Sequence, residues 1–229
     1  MKMKLLLTPF LMALFLVGCS TATESSDKVD QDSIHQSYSV SYDEAQDQTS
    51  AIAEFRFGDA SGTTLSLKGN SKVTHNLFSL REMSLAGTMY TGDGSGLKAQ
   101  HQFKFVDTNG KEYLNAIDIA PIAIPSSTPN TVRAGNDLVV KWDGSPLAQG
   151  ESVTIYLRGT TQSLQLASVR QIGATSILLP KTDVAKAGRG PATLELKRAR
   201  NTNLQNATKR GGSLNASYTT KKFSLTIAD

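Results

Sequence analysis

The residue types that could do chemistry are few in this 229-residue chain, and their spacing is informative. There are three histidines, His35, His75 and His101, and one cysteine, Cys19. No pair of these sits at metal-ligand spacing. The chain has no H-E-x-x-H, no G-x-S-x-G elbow, no phosphate-binding P-loop, no dinucleotide fingerprint and no cysteine pair for zinc. Ser25-x-x-Lys28 matches a Ser/Lys pattern but lies in a polar segment that cannot hold a site rigid. Asp93 in a glycine-rich loop, and Asp107 with Asn109, lack the repeated carboxylates of a calcium loop. His101 falls on the apolar side of an alternating run, which predicts a core histidine held by a backbone group. Asp137, Asp143 and Glu151 are the carboxylates a glycan-cleaving reading would need, and their spacing does not pair them. These observations predict no enzyme, no catalytic residue, no metal and no cofactor.

One cluster stands out as a binding surface. Lys197, Arg198 and Arg200 lead into Asn201 and Asn203, and Lys209-Arg210 follows. Guanidiniums and amides together suit phosphate, carboxylate or sugar groups. A long connection on a rigid scaffold is a common place for such a surface. Interleaved aromatics for base stacking are missing, so nucleic acid is not expected as a partner.

The elements that position these residues read as strands. Tyr38, Val40 and Tyr42 alternate with serines. Ala51, Ala53, Phe55 and Phe57 alternate with polar or aliphatic neighbours. Thr63–Leu67 and Lys72–His75 are shorter strands, and 77–85 is a stretch expected to wander between sheets. Lys98–Phe105 and Tyr113–Ile119 form a hairpin, with Asn109-Gly110 expected as its type I′ turn. Leu138, Val140 and Trp142 alternate, then Val153, Ile155 and Leu157, then 177–179 up to Pro180. Thr182-Asp183 opens one helical turn stopped by Gly188. Leu194 and Leu196 point inward from a strand ending at Arg198, and 218–227 closes the chain. Short strands with regular turns predict an all-β protein.

Pro121, Pro125 and Pro129 mark a boundary, since proline cannot join a central ladder. Charge changes there too. Residues 20–129 hold 8 basic and 14 acidic groups, a net of −6, and residues 130–229 hold 14 and 6, a net of +8. The division expected is two tandem modules, 37–123 and 124–229. Residues 20–36 are polar and acidic, which predicts a disordered tether with His35 solvated at its end.

Two resemblances sit on named residues. Lys2 and Lys4, the apolar run Leu5–Val17 and the sequence Leu16-Val17-Gly18-Cys19 resemble the signal peptide and lipobox of bacterial lipoproteins. That implies cleavage after residue 18, lipidation of Cys19 and attachment to the membrane through it. Acyl chains contribute about 0.8 kcal/mol per buried CH₂, so such an anchor holds. Ser20 in place of aspartate implies, by the same resemblance, an outer-membrane location with the face left open. The strand carrying Trp142 resembles the second strand of fibronectin type III and related immunoglobulin-like sandwiches, which implies two immunoglobulin-like β-sandwich domains after the signal peptide and tether. A disulfide of the antibody type is impossible with one cysteine.

The function expected is therefore a lipid-anchored envelope protein that binds or assembles without catalysis. Its partner would be an anionic or glycan envelope component or an envelope protein. The alternative is a carbohydrate-binding or carbohydrate-active envelope protein, and a passive spacer is a third.

Overall fold

A computed structural model describes residues 23–76, 78–84, 87–162 and 164–229. The signal-like segment and Cys19 lie outside the described residues. The first half contains β1 (Thr23–Ser25), β2 (Ile34–Asp43), β3 (Gln48–Phe57), β4 (Thr64–Ser66) and β5 (Lys72–His75). It continues with β6 (Phe78–Ser79), β7 (Arg81–Ser84), β8 (Thr88–Ser95), β9 (Gln100–Val106) and β10 (Glu112–Asp118). The second half contains β11 (Thr131–Arg133), β12 (Leu138–Lys141), β13 (Glu151–Arg158), β14 (Leu164–Val169) and β15 (Ser176–Leu179). After α1 (Lys181–Ala187) come β16 (Gly190–Asn203), β17 (Gly212–Thr219) and β18 (Phe223–Ala228). The chain is all-β, as its period-2 patterning requires.

Alternation sets which face of each strand is buried. β2 and β3 each bury every second residue, placing Tyr38, Val40, Ala51, Ala53 and Phe55 inside. These face a smaller sheet ordered β10-β9-β5-β6. Tyr38 stacks on Phe103 at 4.9 Å between centroids, and Phe55 meets Phe105 at 4.5 Å. Aromatic pairs at such distances add about 0.5–1.5 kcal/mol beyond their buried area. In the second half, Val153, Ile155 and Leu157 of β13 and Leu194 and Leu196 of β16 share the core with Leu138, Val140, Ile177 and Leu179 of the β12–β15 pair. Trp142 is buried beside them and its indole donates to Ser145 O, so it fills the core.

The two halves share one sheet. Among the described residues, twelve strands join, with the path β1-β4-β3-β2-β17-β16-β13-β14. The seam is a parallel ladder of β2 and β17 from Gln36↔Gly212 to Asp43↔Thr219. Gly212 permits this approach, because a Cβ there would lie 1.8 Å from Gln36 O. The proline-rich stretch between the halves is a connection rather than a break in the sheet. Ile122 within it is buried, and Ala123 bridges to Asp143.

Four local expectations need correction. The stretch expected as a disordered tether is ordered from Thr23 onward. β1 pairs with β4, Ser26 is fully buried and its hydroxyl accepts from Lys68 N, and Gln31 donates to Ser26 O and Val29 O. This segment has little apolar surface of its own and gains order by pairing with the folded body. His35, expected to be solvated, lies in β2 opposite Arg56, and burial pushes its pKa down. The hairpin turn spans five residues, not two. Asp107 accepts from the amides of Asn109 and Lys111, and only Gly110 of the Asn-Gly pair has positive φ. Finally, the strand expected to end at Arg198 runs to Asn203, because β13 and β17 hold it from both sides.

Candidate functional site

The extension of β16 redistributes the expected binding residues. Lys197, Arg198, Arg200, Asn201 and Asn203 are strand residues, paired with Thr219, Tyr218, Ala216, Asn215 and Ser213. Only Lys209 and Arg210 lie in the connection 204–211. Arg198 shares the inward parity of Leu194 and Leu196 and is buried with Glu151, at a 2.5 Å ion pair. Its Nη1 donates to Ser145 O and its Nη2 to Pro146 O, while the buried Nε has no partner among the described residues. It cannot meet a ligand. Asn201 Oδ1 accepts from Asn215 Nδ2 across the sheet, while Arg200 is exposed.

The connection 204–211 is docked on the first half. Asn115 of β10 accepts from the amides of Gln205 and Asn206 and donates to Asn206 O at 2.7 Å. The Thr208 hydroxyl donates to Ile34 O. Lys209 pairs with Asp32 at 2.6 Å, which holds the Asp32 carboxyl below its ordinary value. Most of the polar groups there already have partners within the protein.

The carboxylates of the glycan-cleaving reading do not converge. Glu151 is the buried partner of Arg198, Asp137 accepts from Lys181 N at the start of α1, and Asp143 takes part in the backbone bridge to Ala123. Among the described residues, no three His, Cys, Asp or Glu side chains lie close enough to hold a metal.

A different region has the form of a ligand site. Where the chain leaves the small sheet at β6 and joins the large one at β7, a cleft of about 840 Å³ opens between the layers. Such a volume falls in the range of small-molecule sites, about 300–1,000 Å³. His75, Phe78, Arg81, Met83, Asp93 and Lys98 contribute to its walls. Phe78 is 71% exposed, and Lys98 Nζ lies 5.9 Å from its ring centroid. Leu80 packs against β8 at Gly92, where a Cβ would come within 2.7 Å of its methyl. Asp93 accepts from the Ser50 hydroxyl, and Glu82 accepts from Ser66 and Tyr90. Arg81 and Lys98 have no ion-pair partner among the described residues.

His75 and His101 lie beside this cleft. The β5–β9 register brings them together, with His75 Nε2 2.9 Å from His101 Nδ1 and the rings nearly parallel. His101 is fully buried, and its Nε2 is 2.8 Å from Lys98 O. A carbonyl can only accept, so His101 Nε2 carries the proton and its Nδ1 accepts from His75 Nε2–H. His75 Nδ1 then remains a hydrogen-bond acceptor. Burial, helped by His101 and Lys98, pushes the His75 pKa down to about 4, so His75 is neutral at pH 7, and burial lowers the pKa of His101 as well. The expected core role of His101 holds. Its pairing with His75 escaped the sequence because ring contact depends on strand register.

No family model and no curated protein matches the chain. Solved structures give faint likenesses. The tetra-tandem repeat in the extending region of a large adhesion protein is 14% identical over 83% of this chain and 49% of that one, with a TM-score of 0.26. Dimeric latent PorU from Porphyromonas gingivalis is 13% identical over 82% of this chain and 19% of that one, with a TM-score of 0.27. The adhesin InvE of Yersinia pseudotuberculosis is 10% identical over 86% and 59%, with a TM-score of 0.24. This chain spans about half the length of the adhesion repeat. Likeness at this level decides neither ancestry nor activity.

Proposed function

We propose that this protein is a non-catalytic binding or assembly module of the bacterial cell envelope, held to the outer membrane by acylated Cys19. The cleft beside Phe78 is its ligand site. The observation that carries the binding half is that Arg81 and Lys98, with no ion-pair partner among the described residues, line a concavity of ligand size together with the exposed Phe78 ring. The lipobox resemblance carries the anchoring half. Neutral His75 adds an acceptor, so an anionic group with an apolar portion and a donor hydroxyl or amide fits the chemistry.

A carbohydrate ligand is the second reading. It is favoured by one feature, the exposed Phe78 ring in a cleft that Asn76 and Asp93 also line. A sugar ring stacks on such a face while its hydroxyls meet amides and carboxylates.

The test is crosslinking of the full chain in cells, followed by capture and identification. The native protein is compared with a Phe78→Ser/Arg81→Ser variant and with a Lys197→Ser/Arg200→Ser variant. The expected result is one envelope component lost only from the cleft variant. Loss only from the Lys197/Arg200 variant moves the site to the large sheet. A captured glycan instead of a protein selects the second reading. Intact mass of the mature chain checks acylation at Cys19 independently.

A further inference from the structure

The described residues begin with β1, at one end of the large sheet. Strand pairings define one transverse row of the large sheet. Thr23 faces Thr64, Thr64 faces Arg56, and Arg56 faces His35. Gln36 N then bonds to Gly211 O, one residue before β17 starts. β1, β4, β2 and β17 all begin at this row and run the same way from it, while β3 ends there. The row is five strands wide, so Thr23 and Gly211 are about 19 Å apart at a strand spacing of about 4.8 Å. The loop 58–63, with Asp59, and the connection 204–211, with Lys209 and Arg210, cap this end. Thr23, the first residue of β1, lies at the same end.

Only residues 20–22 separate Cys19 from Thr23. Four Cα steps reach at most about 14 Å. We infer that this end of the sheet, with loops 58–63 and 204–211, lies against the lipid headgroups that surround the acylated cysteine. The inference rests on the proposed acylation of Cys19. It assigns the connection 204–211, with Lys209 and Arg210, a partner, the bilayer surface. Attraction is not what holds it there. Lys209 is paired with Asp32, and Arg210 has the Asp59 carboxylate in its field. The short covalent leash imposes the contact, so it does not require anionic lipid or low salt.

The full chain is matured in cells, and its mass and its sedimentation with phosphatidylcholine vesicles are measured. The only natural cysteine is the acylated one, so a new thiol can be labelled uniquely. A fluorophore is placed at Asn206→Cys in the capping connection, or at Ala45→Cys in the turn between β2 and β3 at the opposite end of those strands. Headgroup-nitroxide phosphatidylcholine supplies the quencher. The expected result is several-fold stronger quenching at 206 than at 45, unchanged by salt. Inserting twenty Gly/Ser residues between Ala22 and Thr23 gives a leash of about 25 Å root-mean-square length, and quenching at 206 should then fall toward that at 45. Equal quenching at the two positions overturns the inference. Quenching at 206 that survives the insertion also overturns it, because the contact would then be an affinity. An unacylated chain that stays in the supernatant overturns the anchoring and the inference together, and the mass tells this case from the others.

Discussion

The connection 204–211 and the cleft beside Phe78 carry similar chemistry and stand in opposite states. Each contains two cations and an asparagine, and each lies between strands. In the connection, Asn115, Ile34 O and Asp32 take up the amides, a hydroxyl and Lys209. At the cleft, Arg81 and Lys98 have no ion-pair partner among the described residues, Lys98 lies over the exposed Phe78 ring, and Asp93 and Glu82 are bonded to hydroxyls. Residue type is the same currency in both regions. Availability for a ligand depends on what the fold has already placed within reach.

The comparison breaks most visibly at Glu151 and Arg198, the pair that withdraws one cation from the surface. Glu151→Gln leaves a buried guanidinium without its counter-charge and should cost about 3–5 kcal/mol in urea unfolding. Combining Glu151→Leu with Arg198→Met should recover much of that, since two matched apolar side chains leave no orphaned charge. A loss below about 1 kcal/mol in the single variant would show that water reaches the pair. Asn115→Ala removes three hydrogen bonds that dock the connection and should cost about 1–3 kcal/mol. Faster amide exchange confined to residues 204–211 would confirm the docking, and unchanged exchange would refute it.

The histidine pair offers a smaller, pH-dependent effect. The folded pKa of His75, about 4, lies below its ordinary value of 6.5. The unfolded chain therefore binds the proton more readily. Stability from this group is fully present above pH 6.5 and declines as pH falls toward 4. Unfolding midpoints across that window should drop in the native chain more steeply than in His75→Gln. Parallel slopes would assign the effect to other groups. Smallest of all, Phe78→Ser and Lys209→Ala should leave the melting temperature within error, and only the first should change ligand capture. An appreciable melting shift in Phe78→Ser would make its ring a packing element and remove it from the proposed site.

Much of the fold was legible because its signal is local. Alternation through Tyr38, Val40 and Tyr42, and through Ala51, Ala53 and Phe55, marks both the strands and their buried faces, while Phe57 at the end of the same run is exposed. The helix stops at Gly188 with φ of 85°, as its sequence suggests, but it starts at Lys181 after Pro180 and is seven residues long, not the single turn opened by Thr182-Asp183. Arg198 was also legible in principle, since the parity of Leu194 and Leu196 extends to it, but a guanidinium reads as surface until Glu151 supplies its partner. The ordering of Thr23–Ser33 was not legible. It depends on β4, some forty residues away, and on small polar side chains whose partners are backbone atoms. The cleft escaped for the same reason. His75 meets His101 across a strand pair, and Phe78 projects from a two-residue strand too short to show a period.

The β2–β17 seam has a consequence for the order of events during folding. Ser37 and Ser213 touch across 176 positions of chain. A contact of that span cannot form until the chain has been made as far as β17, and pairings so distant in sequence slow the search for the native state. The first half, made alone, leaves the β2 edge open with its amides and carbonyls unpaired, a template for aggregation. Stop codons placed just before Gly212 should therefore yield insoluble chains, and a separately supplied fragment carrying β17 should restore solubility by occupying that edge.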